Sequence, residues 1–113
     1  MIKKSHRFHG HKSLRFVMSK GRVVRDNNLA LKYIYNNQQN KFRVAVVVSK
    51  KVSRSAVVRN RIRRRVYEAV RLQETQITKP IDLVFFVYSP TLKDIGFNNL
   101  EESISRLLKN TNR

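Results

Sequence analysis

The chain has 113 residues, of which 25 are Lys or Arg and 7 are Asp or Glu, for a formal net charge of +18. That length suits a single domain, residues 1–113, and is too short for two; a domain so positive repels itself unless a polyanion neutralises it. With no cysteine, disulfides and thiolate zinc sites are excluded and a reducing, cytoplasmic compartment is expected, and no run approaches the roughly 18 apolar residues that cross a bilayer.

The N-terminal MIKKSHRFHGHK is basic but lacks the apolar stretch and cleavage site of a signal peptide. His6, His9 and His11 form an H-x-x-H-x-H pattern. Without cysteine or an adjacent carboxylate, it reads as RNA-contacting or solvent-exposed rather than as a zinc site. Residues 11–20 read as a short helix with Leu14, Val17 and Met18 on one face, ended by Gly21 in the left-handed conformation. Val23 and Val24 start a short strand. In Leu29–Tyr35, Leu29, Leu31, Tyr33 and Tyr35 alternate with Ala30, Lys32 and Ile34, the period of a strand. Asn36–Asn40, NNQQN, reads as a hairpin loop, and valine-rich Phe42–Ser49 as a central strand.

A long helix follows over about Ser55–Gln73, capped by Ser53 or Ser55. Ile81–Tyr88 is a second buried strand between Pro80 and Pro90, and a closing helix over about Asn98–Lys109 buries Leu100, Ile104, Leu107 and Leu108. The order αβββαβα predicts an α+β sandwich with a central mixed β-sheet. Strand 42–49, the long helix and strand 81–88 make a βαβ unit with the two strands parallel. Both strands are apolar on both faces, so both faces need cover. Helices suffice for one face and leave the other half covered, with a groove.

The long helix carries the chemistry. Val58, Ile62, Val66, Ala69 and Val70 form its apolar stripe, while Asn60, Arg61, Arg63, Arg64, Arg65 and Arg71 fall outside it and Arg59 sits near its edge. A solvated charged face would mix signs to gain i,i+4 pairs, yet only Glu68 interrupts the positive run. Guanidinium is planar, permanently charged and bidentate towards phosphate, which suits a nucleic-acid surface. The acids Asp26, Glu68, Glu74, Asp82, Asp94, Glu101 and Glu102 are scattered. A protein nuclease needs clustered carboxylates or a positioned acid–base pair, and neither pattern is present, nor is a glycine-rich phosphate loop.

The run Arg43–Arg65, with VSKK at Val48–Lys51, AVVRNR at Ala56–Arg61 and a further Arg63–Arg64, closely resembles the signature of the bacterial ribonuclease P protein subunit. Arg59-Asn60-Arg61 matches that family's Arg-Asn-Arg motif. The resemblance implies a ribosomal protein S5 domain 2-like fold with a left-handed crossover. It also implies a protein that helps a catalytic RNA cleave the 5′ leader from precursor tRNA. The implied partners are ribonuclease P RNA and precursor tRNA, with no membrane and no obligate protein partner. No catalytic residue is expected in this chain, and no cofactor bound by the protein alone; magnesium is required by the RNA subunit. Carried onto this sequence, the RNA-contacting residues are Lys50, Lys51, Arg54, Arg59, Asn60, Arg61, Arg64 and Arg65. The leader groove, between the sheet and the first helix, would be lined by Leu14, Arg15, Phe16, Met18, Lys32, Tyr33 and Tyr88. The tyrosines could equally be core residues with their hydroxyls at the rim. The chain departs from the family pattern at Leu14 and Met18, where aromatics are common, and at Ser53, where glycine is frequent.

Two other classes compete. A structural RNA-binding protein of ribosomal type would carry the same basic helix without a role in cleavage. A sequence-specific DNA binder would set that helix in a major groove, but five arginines in Arg59–Arg65 contact backbone indiscriminately.

Overall fold

The periodicities of the sequence resolve into seven regular elements in a computed structural model that describes residues 11–35 and 41–111, with side chains from 15 onward. In chain order they are α1 (His11–Lys20), β1 (Arg22–Arg25), β2 (Leu29–Tyr35), β3 (Arg43–Val48), α2 (Ala56–Arg71), β4 (Ile81–Val87) and α3 (Phe97–Asn110). Single 3-10 turns at Glu74–Gln76 and Pro90–Lys93 join the later elements. Ser55 is the cap of α2, its hydroxyl accepting from the Val58 N–H at 3.3 Å. Ser53 acts one step earlier, accepting from the Ser55 N–H at 3.1 Å.

The sheet is mixed, in the order β1-β2-β4-β3. β1 and β2 are antiparallel, as are β2 and β4, while β3 and β4 are parallel in the register Val44↔Leu83, Val46↔Phe85. Two expectations fail here. Phe42–Ser49 was expected to give a central strand, but β3 is at the edge, and β4 occupies the slot between it and β2. Residues 36–40 therefore join strands that are not neighbours and do not close a hairpin; the segment itself lies outside the described residues. The burial patterns give the reason. All of β4 is buried except half-buried Phe86, whereas β3 alternates half-buried with buried, so the strand that tolerates two covered sides takes the middle.

Successive strand residues point to opposite faces, and the two faces have different fates. Leu29, Leu31, Tyr33, Val44, Val46, Val48, Leu83, Phe85 and Val87 join Ile62, Val66 and Val70 of α2 and Leu100, Ile104, Leu107 and Leu108 of α3 in one core cluster. The other face receives α1, which plugs fully buried Val17 onto it and packs on β2 and β4. On β3, beyond the strands α1 packs on, Ala45 and Val47 of this face stay half-buried. That strip is the part of the face left half covered, as the sequence leads one to expect.

Gly21 ends α1, but not by a left-handed turn as expected. Its N–H bonds the Val17 carbonyl at 2.8 Å, and a Cβ there would stand 2.5 Å from that oxygen and 3.1 Å from the Tyr33 oxygen. Glycine is needed for close approach of α1 to β2, not for its dihedral freedom.

Candidate nucleic-acid interface

The basic bank divides into arginines that build the fold and cations that face outward. Arg59 Nη1 donates to the Ser53 carbonyl at 2.8 Å, tying the start of α2 to the loop before it. Arg63 donates to the Asn60 side-chain oxygen and, through Nε, to the Val46 carbonyl of β3 at 3.4 Å. Arg65 reaches across to the segment before α3, donating to the Ile95 carbonyl at 2.6 Å and the Leu92 carbonyl at 3.5 Å. Arg65 thus has a structural engagement where the sequence suggested RNA contact alone; helical position cannot reveal a carbonyl that arrives from a later segment.

Arg61 and Arg64 are exposed, with no hydrogen bond or ion pair among the described residues. The same holds for the Lys50, Lys51 and Arg54 side chains on the loop between β3 and α2. This loop is a built structure. Val52 is buried in the core, its N–H bonds the Ser49 carbonyl at 3.0 Å, and the Lys51 N–H bonds the Ser49 hydroxyl at 3.1 Å. Cations on a fixed loop and helix meet phosphates with less entropy to lose than cations on a floppy segment. Asn60 is exposed, and with its oxygen taken by Arg63 its amide N–H groups remain as donors.

The groove lies on the sheet's other face. Lys32 of β2 lies on this face beside α1, donating to the Met18 carbonyl at 3.0 Å near the end of α1, with its ammonium 5.7 Å from the centroid of the Phe86 ring. Phe86, Ala45 and Val47 share this face, in the pairs Ala45↔Val84 and Val47↔Phe86. Sequence reasoning missed all three, because an unbroken apolar run does not say which side is open. Phe16 is 55% exposed and Met18 38%. At about 100° per residue they flank Val17 on opposite sides, so the two do not line one wall together. Arg15 lies about 160° from Val17 and stands on the outer surface of α1, not on the groove floor. Tyr33 is corrected outright. It is 7% exposed in the core cluster on the opposite face, as its neighbour Lys32 requires. Tyr88 stands at the rim just past β4, its hydroxyl donating to the Asp26 carbonyl at 2.7 Å. The Leu14 side chain, with His6, His9 and the side chain of His11, lies outside the described residues.

At the β3 end of this face, Arg43 and Asp82 form a bidentate pair, Nε to Oδ1 at 2.9 Å and Nη2 to Oδ2 at 2.7 Å, with Asp82 buried. Among the described residues no three His, Cys, Asp or Glu side chains gather as a metal-binding group.

A family model described as Ribonuclease P matches residues 2–112. The Ribonuclease P protein component of Roseiflexus castenholzii is 47% identical over 73 residues, covering 65% of this chain and 59% of that relative. Its counterpart in Clostridium novyi is 36% identical over 110 residues, covering 96% of this chain and 95% of the relative. Among solved structures, the Staphylococcus aureus RNase P protein aligns with a TM-score of 0.83 at 23% identity over 96% of each chain. The Thermotoga maritima RNase P protein aligns with a TM-score of 0.82 at 21% identity, over 92% of this chain and 96% of that one. The structural likenesses establish the fold, and the sequence matches reach the same family over nearly the full length: the chain belongs to the ribonuclease P protein family.

Proposed function

We infer that this chain is the protein component of ribonuclease P, assisting a catalytic RNA in endonucleolytic removal of the 5′ leader from precursor tRNA. Its own contribution is binding. Lys50, Lys51, Arg54, Arg61 and Arg64 neutralise phosphates of the catalytic RNA, with Asn60 donating beside them. The groove beside α1, with Lys32 and Phe86 on its floor and Phe16 or Met18 on its wall, takes the leader. Catalysis and the magnesium it uses belong to the RNA. No helix among the described residues is long and apolar enough to cross a membrane, and the proposed place of action is the cytoplasm.

The observation that carries this reading is the family match over residues 2–112 together with cations that have no partner among the described residues, on the loop and helix that hold the Arg-Asn-Arg motif. The two surfaces are separable by experiment. Arg61→Ala with Arg64→Ala should weaken assembly with the catalytic RNA. Phe16→Ala and Met18→Ala, assayed separately against precursor with and without leader, should reveal which side of α1 faces the leader. That variant loses the leader-dependent part of its affinity. If both variants keep the parent's discrimination between the two substrates, the groove assignment is wrong.

A further inference from the structure

Between α2 and the start of α3 lies a depression of about 390 Å³ lined by Arg61, Arg64, Arg65, Glu68 and Phe97. That is near the small end of the roughly 300–1,000 Å³ typical of sites for small ligands, the scale of one nucleotide rather than a duplex face. Its far wall is fixed by Arg65, whose bonds to the Leu92 and Ile95 carbonyls hold the segment that delivers Phe97. Phe97, half-buried at the first position of α3, packs against the core while also lining the depression.

The charges give the depression a direction. Arg61 and Arg64, at the end nearer the start of α2, have no partner among the described residues. Glu68, one to two turns further on, has its carboxylate already paired with the Arg71 guanidinium. A phosphate is therefore drawn to the arginine end, where the cations have no partner among the described residues, rather than to the end where charge is already balanced. The surface left between is the Phe97 ring. Cations that track a backbone beside an aromatic platform are the means by which proteins hold unpaired bases.

We propose that this cleft holds one unpaired nucleotide of the catalytic RNA, its phosphate on Arg61 and Arg64 and its base stacked on Phe97. The inference rests on the reading of α2 as the RNA-facing helix and adds to it a base-stacking residue from α3.

The chain has no tryptophan, so Phe97→Trp supplies a single indole reporter at the platform. Titration of that variant with a bacterial ribonuclease P RNA should quench the indole fluorescence at near-parent affinity. Phe97→Leu keeps apolar bulk but removes the stacking face; it should bind the RNA about five- to a hundredfold more weakly, with the parent's circular dichroism at the assay temperature. Should the indole variant not fold, the leucine variant decides alone. Parent-like binding by Phe97→Leu overturns the proposal. If Arg61→Ala and Arg64→Ala still weaken binding in that case, the reading of α2 survives. If they too bind as the parent does, that reading falls and takes this one with it.

Discussion

Arg61 and Arg65 stand one helical turn apart on α2, carry the same charge, and have different roles. Arg65 is half-buried and bound to carbonyls 27 and 30 residues later, so Arg65→Ala should lower stability by about 1–3 kcal/mol, as expected for hydrogen bonds from a charged donor. A urea unfolding curve checks it. Arg61 is exposed and has no partner among the described residues, so Arg61→Ala should change stability by no more than about 0.5 kcal/mol. It should instead reduce the salt dependence of RNA binding by about 0.7–0.9 log unit per log unit of salt, one phosphate contact's worth. Affinity measured at several salt concentrations reads that slope. The sequence shows both as arginines outside an apolar stripe, and nothing local separates them, since the carbonyls that claim Arg65 come from a distant part of the chain. Asp26 is a second residue defined by distant contacts. Burial pushes its pKa up, but hydrogen bonds from the Asn27 N–H, Arg106 and Ser103 outweigh this and hold it below the ordinary 3.8. A lowered folded-state pKa gives stability that is full above the unfolded value and lost as pH falls through the folded one. Asp26→Asn should therefore lower stability at neutral pH, where this contribution is full, and flatten the part of the acid-unfolding profile below about pH 4, where the parent loses it.

Among the elements, α1 is the one whose placement decides the groove, and Gly21 decides α1. A Cβ at 21 would meet backbone oxygens of Val17 and Tyr33 at 2.5 and 3.1 Å, and backbone cannot swing aside as a flexible side chain can. Gly21→Ala should cost about 1–3 kcal/mol and weaken discrimination for leader-bearing precursor while leaving affinity for the catalytic RNA intact; parallel binding assays with the two RNAs check this. The Arg43–Asp82 pair anchors β3 to β4 on the same face. Asp82→Ala should destabilise by about 3–5 kcal/mol, because it strips the carboxylate from a guanidinium held in a poorly solvated place, and thermal unfolding checks it. All three helices and β2 were legible from periodicity, and β1, β3 and β4 from short apolar runs, since helix and strand signals are local. The sheet order was not. A βαβ unit requires parallel strands but does not say that the second inserts between the first and β2. The groove floor was half legible: alternation alone rules that adjacent Lys32 and Tyr33 cannot share a face, and only packing shows that Lys32 lies on the side of α1 while Tyr33 lies in the core.

At the scale of the whole molecule, the net charge of +18 called for a polyanion, and the fold apportions that charge. Several arginines are spent on carbonyls and carboxylates inside the structure, while the loop and the outer face of α2 keep theirs for a partner. The motif was legible because it is contiguous, on one loop and one helix. The cleft beside Phe97 was not, because it joins residues of α2 to the start of α3. The most direct test of the account is reconstitution at low magnesium of precursor tRNA, a bacterial ribonuclease P RNA and this protein. The expected result is no cleavage by the protein alone, little by the RNA alone, and release of the 5′ leader by the two together. Tight binding of the RNA with no stimulation of cleavage, even with the cognate RNA, would contradict the account and mark a structural RNA-binding protein instead.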